Sequence, residues 1–82
     1  MEQFVYSPKT LGQAIQRLRK AKKLNQEDAG KAFKLKQSTI SSIEGGALGT
    51  RLDTLFRLLA ALDLEMIIRS KEGSSSQKKA KW

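Results

Sequence analysis

Cysteine and histidine are both missing from this chain of 82 residues. With them go any disulfide framework, thiolate chemistry and the usual zinc and general-base constellations, so no metal or other cofactor is expected. An enzyme would have to rest on a Ser/Lys dyad, and nothing in the spacing of the serines speaks for one. The N-terminus has no basic segment leading into an apolar run, and no apolar stretch approaches the ~20 residues of a membrane span, so a cytoplasmic protein is expected. Acidic residues are scarce: Asp and Glu number 8 against 16 Lys and Arg, a net charge of +8. Such an excess draws the chain to polyanions, either nucleic acid or an acidic membrane surface. Aromatics are few, at 6%, and as most of them read as buried or terminal, stacking on single strands is disfavoured relative to duplex DNA. The length suffices for one small core and a tail.

What is present reads as helices. Ser7-Pro8 offers an N-cap oxygen followed by a residue that loses no hydrogen bond at the first helical position. Leu11, Ala14, Ile15 and Leu18 then recur as one stripe, predicting a helix over about 8–22. Asn25 is a second N-cap, with Glu27 and Asp28 suited to the positive end of a helix running to about Phe33. Gln37 opens a third, short helix with Ile40 and Ile43 inward, stopped by Gly45-Gly46. In RLDTLFRLLAALD the residues Leu52, Leu55, Phe56, Leu59 and Leu62 share one face of a fourth, and helices 1 and 4 are expected to supply most of the core.

After Asp63 the period changes to that of a strand: Leu64, Met66 and Ile68 on one side, Glu65, Ile67 and Arg69 on the other. A lone strand leaves backbone groups unpaired. Either the same segment of a second copy satisfies it, making Leu64, Met66, Ile67 and Ile68 a dimer contact, or it pairs within the chain to Phe4-Val5-Tyr6. From Lys71 the sequence is rich in Ser and Lys and is expected to be disordered, so the domain is placed at 1–70 and a basic tail at 71–82.

The stretch from Asn25 to Gly46 is helical in pattern yet crowded with Gln, Ser, Thr and Lys. Two short helices joined by a turn, with Ala29, Phe33, Leu35, Ile40 and Ile43 inward, fit a helix-turn-helix, in which the second helix offers its first residues to the major groove. Gln37, Ser38, Thr39 and Ser41 are then candidates for base reading, Gln being suited to adenine. Each taken singly could equally keep a surface helix soluble. Gln26, at the start of helix 2, is a candidate phosphate clamp, and Lys36, Thr50 and Arg51 are candidate phosphate contacts.

The motif "LNQEDAGKAFKLKQSTISSIEGG" resembles the lambda-repressor-like (Xre-type) helix-turn-helix family over roughly Leu11 to Leu62. The resemblance implies an all-α fold. It also places Gln26 on the family's phosphate-clamping glutamine and Gln37 on its base reader. Lys36, Ser38 and Ser41 fall on neighbouring DNA-facing positions. Arg19 and Glu44 match a salt bridge tying helix 1 to helix 3, the alternative being two solvated charges. Two departures stand out: Gly30 where the family has alanine, expected to cost ~1 kcal/mol of helix propensity, and Lys34 where its turn has glycine, expected to adopt positive φ.

More narrowly, YSP near the start, "LKQSTISSIE", "TLFRLLAALDLEM" and a terminal Trp after a polar tail resemble the antitoxin branch of that family. This implies an autorepressor on double-stranded, palindromic operator DNA, bacterial and on the nucleoid when bound, which also holds a HipA-like serine/threonine kinase toxin. It further implies that the C-terminal strand pairs across a homodimer as a small lid. Trp82 would then be a toxin anchor, or else an incidental residue or one folded onto the core. The alternative is a stand-alone repressor of the same fold without a toxin partner.

Overall fold

The Ser7 hydroxyl accepts the Thr10 amide at 3.1 Å while the Thr10 hydroxyl accepts the Ser7 amide at 3.0 Å, a reciprocal cap that opens the first helix just before Pro8. The computed structural model describes residues 2–31 and 34–71. Within them lie α1 (Pro8–Ala21), α2 (Gln26–Lys31), α3 (Gln37–Glu44) and α4 (Leu52–Ala61). Phe33, expected to end the second helix and face inward, and Trp82 lie outside the described residues. Asn25 caps α2, its side-chain oxygen accepting the Asp28 amide at 2.7 Å.

The core is Ile15 of α1, Ala29 of α2, Ile40 and Ile43 of α3, and Leu55, Leu58, Leu59 and Leu62 in and after α4. Two expectations need correction. The third helix shares the centre with α1 and α4: Ile40 is fully buried, and α1 packs most extensively against α3. On α4 the buried face includes Leu58, at 0% exposure, while Leu52 (68%) and Phe56 (50%) lie in solvent. A helix with leucine on most sides carries two overlapping stripes, and periodicity alone does not say which one meets α1 and α3.

Each helix ends in the same device. A residue with positive φ (Lys23 at 59°, Lys34 at 56°, Gly46 at 88°, Asp63 at 59°) turns the chain out of the helix. The next amide then reaches back five residues: Leu24 to Arg19, Leu35 to Gly30, Ala47 to Ser42 and Leu64 to Leu59, at 2.8–3.3 Å. Leu24, Leu35 and Leu64 follow three of these turns and pack against the core, the apolar contact that accompanies such a cap. The positive φ expected at Lys34 is therefore one of three at non-glycine residues among those described.

Two glycines allow close approach. A methyl on Gly12 would overlap the Ile43 carbonyl oxygen and lie 2.6 Å from that of Glu44, so α1 rests its backbone on the last turn of α3. A methyl on Gly30 would overlap the Leu35 carbonyl oxygen and lie 3.1 Å from Ile40 Cδ1. Gly30 is thus a fitted position, not merely a loss of helix propensity, because the turn folds directly over it.

Among the described residues no strand forms: residues 64–71 carry no regular structure, and neither does the stretch before Ser7. The intrachain ladder to Phe4-Val5-Tyr6 is absent, although the two segments meet, with the Arg69 guanidinium 5.4 Å from the Phe4 ring centre and Lys71 Nζ 5.7 Å from that of Tyr6. The described aromatics are also less buried than expected: besides Phe56, Phe4 and Tyr6 are 64% and 72% exposed. Phe4 and Tyr6 precede the first helix, outside the layers that enclose the core, so scarcity of exposed rings is no ground against single-strand binding.

Candidate nucleic-acid interface

Arg19 is buried on the face of α1 that meets α3, seven residues and about two turns beyond Gly12. Its guanidinium donates to both oxygens of Glu44, Nε to Oε2 at 2.6 Å and Nη2 to Oε1 at 2.9 Å, and Nη1 donates to the Leu24 carbonyl at 2.7 Å. The side chains of Arg19 and Glu44 retain 7% and 2% of their exposure. Burial pushes the Glu44 carboxyl up, but hydrogen bonds from Arg19 and Gln26, with the charge of Arg19, outweigh it and hold the group below the ordinary carboxyl range. The hydrogen bond to Glu44 raises Arg19 further above its usual value. The pair is a fork-to-fork bridge inside the protein and not two solvated charges.

From this pair a line of polar groups runs to the surface. Gln26 Nε2 donates to Glu44 Oε1 at 3.1 Å, and Gln37 Nε2 lies 3.5 Å from Gln26 Oε1, at the outer limit of a hydrogen bond. Gln26 is half-buried at the start of α2, and Gln37 is exposed at the start of α3. Capping explains why Gln37 stands where it does: Lys36 is the N-cap of α3 and makes no side-chain cap bond, so the first turn of α3 opens onto the surface beside Gln37 and Ser38.

Ser38 and Ser41 are exposed next to Gln37, and Lys36 is exposed before it. Thr39 is half-buried and faces the side, where a shallow groove between α3 and the start of α4 brings it together with Thr50 and Arg51. Ser42 and Thr54 line the same groove. Sequence reasoning passed over Thr54 and placed Ser42 only within a recognition face from Ser38 to Ser42, although Ser42 follows Thr39 by three residues and so shares its side. The Arg51 guanidinium is engaged by Asp53 at 3.1 Å through two nitrogens, an exposed pair that solvent screens strongly. That contact lowers the Asp53 carboxyl below its ordinary range. A phosphate oxygen could replace the carboxylate at Arg51 at little cost.

Two short helices, a turn and an exposed polar first turn on the second are the parts of a helix-turn-helix, and residues 15–67 match the helix-turn-helix family. The chain belongs to that family. It is similar to "Antitoxin HipB" of Escherichia coli (strain K12), with 32% identity over 75 residues that span 92% of this chain and 85% of the relative. Among solved structures it resembles a HipB-O4 20mer complex, with a TM-score of 0.80, 33% identity, and coverage of 85% of this chain and 99% of the other. A HipA-HipB-O2-O3 complex superimposes with a TM-score of 0.79 at 33% identity over the same shares of the two chains. Among the described residues no helix is long and apolar enough to cross a membrane.

Proposed function

We propose that this chain is an antitoxin and transcriptional autorepressor that binds a palindromic operator as a dimer and sequesters a HipA-like serine/threonine kinase toxin. The observation that carries the DNA-binding part is the exposed face at the start of α3, where Gln37, Ser38 and, one turn on, Ser41 stand on a chain of net charge +8. The likeness to HipB antitoxins over nearly the whole length favours the toxin-holding part over a stand-alone repressor. Gln37 reads bases with Ser38, Thr39 and Ser41 beside it, and Gln26, Lys36, Thr50 and Arg51 take phosphates.

Dimerisation through residues 64–70 accounts for apolar side chains that one copy leaves in solvent: Met66 and Ile67 at 46% and 63%, Ile68 at 91%. In this reading 1–70 is the DNA-binding and dimerisation unit, 71–82 is a basic tail whose Trp82 anchors the toxin, and the protein works in the cytoplasm, at the nucleoid when on its operator. Selection of duplexes from a randomised pool tests it. An inverted repeat with half-site centres one helical turn apart, ~34 Å, or a multiple of it is expected. Gln37→Ala should lose ~1–3 kcal/mol at one position per half-site. Recovery of no inverted repeat, or of single strands in place of duplex, would refute it.

A further inference from the structure

The Glu44 carboxylate lies at the root of the line Arg19–Glu44–Gln26–Gln37, and its chemistry constrains every amide above it. An ionised carboxylate has no proton to donate, so Gln26 can meet it only through Nε2, as it does at 3.1 Å. That leaves the other end of the Gln26 amide, Oε1, facing Gln37, and an acceptor there draws the Nε2 end of Gln37 to within 3.5 Å. Gln37 is thereby left with its own Oε1 and a remaining N–H for a base edge. This acceptor-and-donor pair complements the N6 amino group and N7 of adenine. Were Gln26 turned over, its N–H groups would face Gln37 and favour the opposite orientation there. With its Oε1 turned to Gln26, Gln37 would then meet the base edge with its two N–H donors foremost, the pattern that suits the O6 and N7 acceptors of guanine.

We infer that the buried Glu44 carboxylate, held by Arg19, sets through Gln26 the amide orientation with which Gln37 meets the base edge. Glu44 is thus a positioning residue for adenine over guanine as well as a tie between α1 and α3. The inference rests on the reading of Gln37 as a base reader and adds what decides its preference. It requires a charged acceptor at position 44. A neutral amide there can present either end to Gln26, so the orientation of the whole line is released while the helices stay in place.

The test uses the full chain and a duplex that it selects from a randomised pool, with single A·T to G·C replacements at each position of one half-site. Gln37→Ala first locates the position that residue reads, as a loss of about tenfold or more in preference there. Glu44→Gln should then cut the adenine preference at that same position by at least about fivefold and leave preferences elsewhere within about twofold. In the Gln37→Ala background, Glu44→Gln should remove nothing further at that position, since the two act in series. Should Glu44→Gln not fold, the double variant Arg19→Met/Glu44→Leu decides. It replaces the buried pair by apolar side chains of similar reach, which preserves packing, yet it too leaves Gln26 without its acceptor. A Glu44→Gln or double variant that keeps the preference, or loses affinity evenly over all positions, overturns the inference while Gln37 stands as a base reader. An even loss for Gln37→Ala itself removes the base reader, and the inference with it.

Discussion

Replacing Gly12 by alanine puts a methyl where the backbones of α1 and α3 touch, and the structure fixes both terms of the outcome. Alanine gains ~1 kcal/mol of helix propensity over glycine inside a helix. Against this, the new methyl would overlap the Ile43 carbonyl oxygen and lie 2.6 Å from the Glu44 carbonyl oxygen, both backbone atoms that no rotamer change can move aside. A carbon needs roughly 3.3 Å from such an oxygen, so α1 must back away from α3 by more than about 0.7 Å, the closer Ile43 oxygen setting the larger shift. Forced repacking of that kind costs ~1–3 kcal/mol. The same displacement acts on Arg19, whose 2.6 and 2.9 Å bonds to Glu44 span the same interface. Breaking one partner out of a buried pair costs ~3–5 kcal/mol, of which a strained geometry forfeits a part. The expected net loss is about 2–4 kcal/mol, lowering the melting midpoint by at least about 8 °C in a domain this small. Gly49→Ala is the control, with nothing within 4 Å of the added methyl and no left-handed backbone. There the outcome should be neutral or a gain of up to ~1 kcal/mol through the unfolded chain. Thermal and urea midpoints at one protein concentration decide the matter, and a Gly12→Ala midpoint at or above that of the parent would refute the reasoning.

At the turn between α2 and α3, Lys34→Gly should raise stability by roughly 0.5–1 kcal/mol, since φ of 56° costs a residue with a Cβ more than it costs glycine; an unchanged or lower denaturation midpoint would count against that cost. Acid should weaken the domain through Glu44: with its folded value depressed, its contribution is complete above the ordinary carboxyl range near ~4.3 and is lost as pH falls through the folded value. Urea midpoints between pH 7 and pH 3 should therefore fall less for Arg19→Met/Glu44→Leu than for the parent, and equal slopes would show that other carboxylates carry the acid response.

The starts of α1 and α2 and the Gly45-Gly46 stop were legible because each rests on a residue type with one local reason to be there, as Ser7, Asn25 and Gly46 do. The three left-handed caps at Lys23, Lys34 and Asp63 were harder, because neither Lys nor Asp announces positive φ. Lys34 was foreseen only against a family pattern, and the other two were not. The repeated signal lay one residue later, in the leucine that follows each of them and returns to the core. Gly12 was illegible for a different reason, whereas at Gly30 close packing was expected from the family's alanine, but not the Leu35 carbonyl that passes over it. A glycine whose function is to let another segment's carbonyl pass leaves no local trace, and its local cost in helix propensity argues in the wrong direction. In the candidate site, Gln26 and Gln37 could be named from position, but not the line through Glu44 that joins them, since it links residues eleven and eighteen apart in the chain.

The error on α4 has the most bearing on function. Leu52 and Phe56 were read as core because apolar side chains four apart on a helix must be covered by something, and that premise holds. What periodicity leaves open is which surface covers them. Within one copy the space beneath α4 is filled by Leu55, Leu58, Leu59 and Leu62, so Leu52 and Phe56 are left facing out. They are not alone. Leu48 before them and Met66, Ile67 and Ile68 after them are also exposed, so the loop before α4, the outer face of α4 and the segment after it all offer apolar side chains. A monomer working alone would keep this surface wet, against the ordinary distribution of large apolar side chains. A second copy docking there would remove it from water and supply the second recognition helix that an inverted repeat demands. Leu52 and Phe56, which periodicity misassigned to the core, are thus exposed apolar side chains that the dimeric reading can use in addition to residues 64–70.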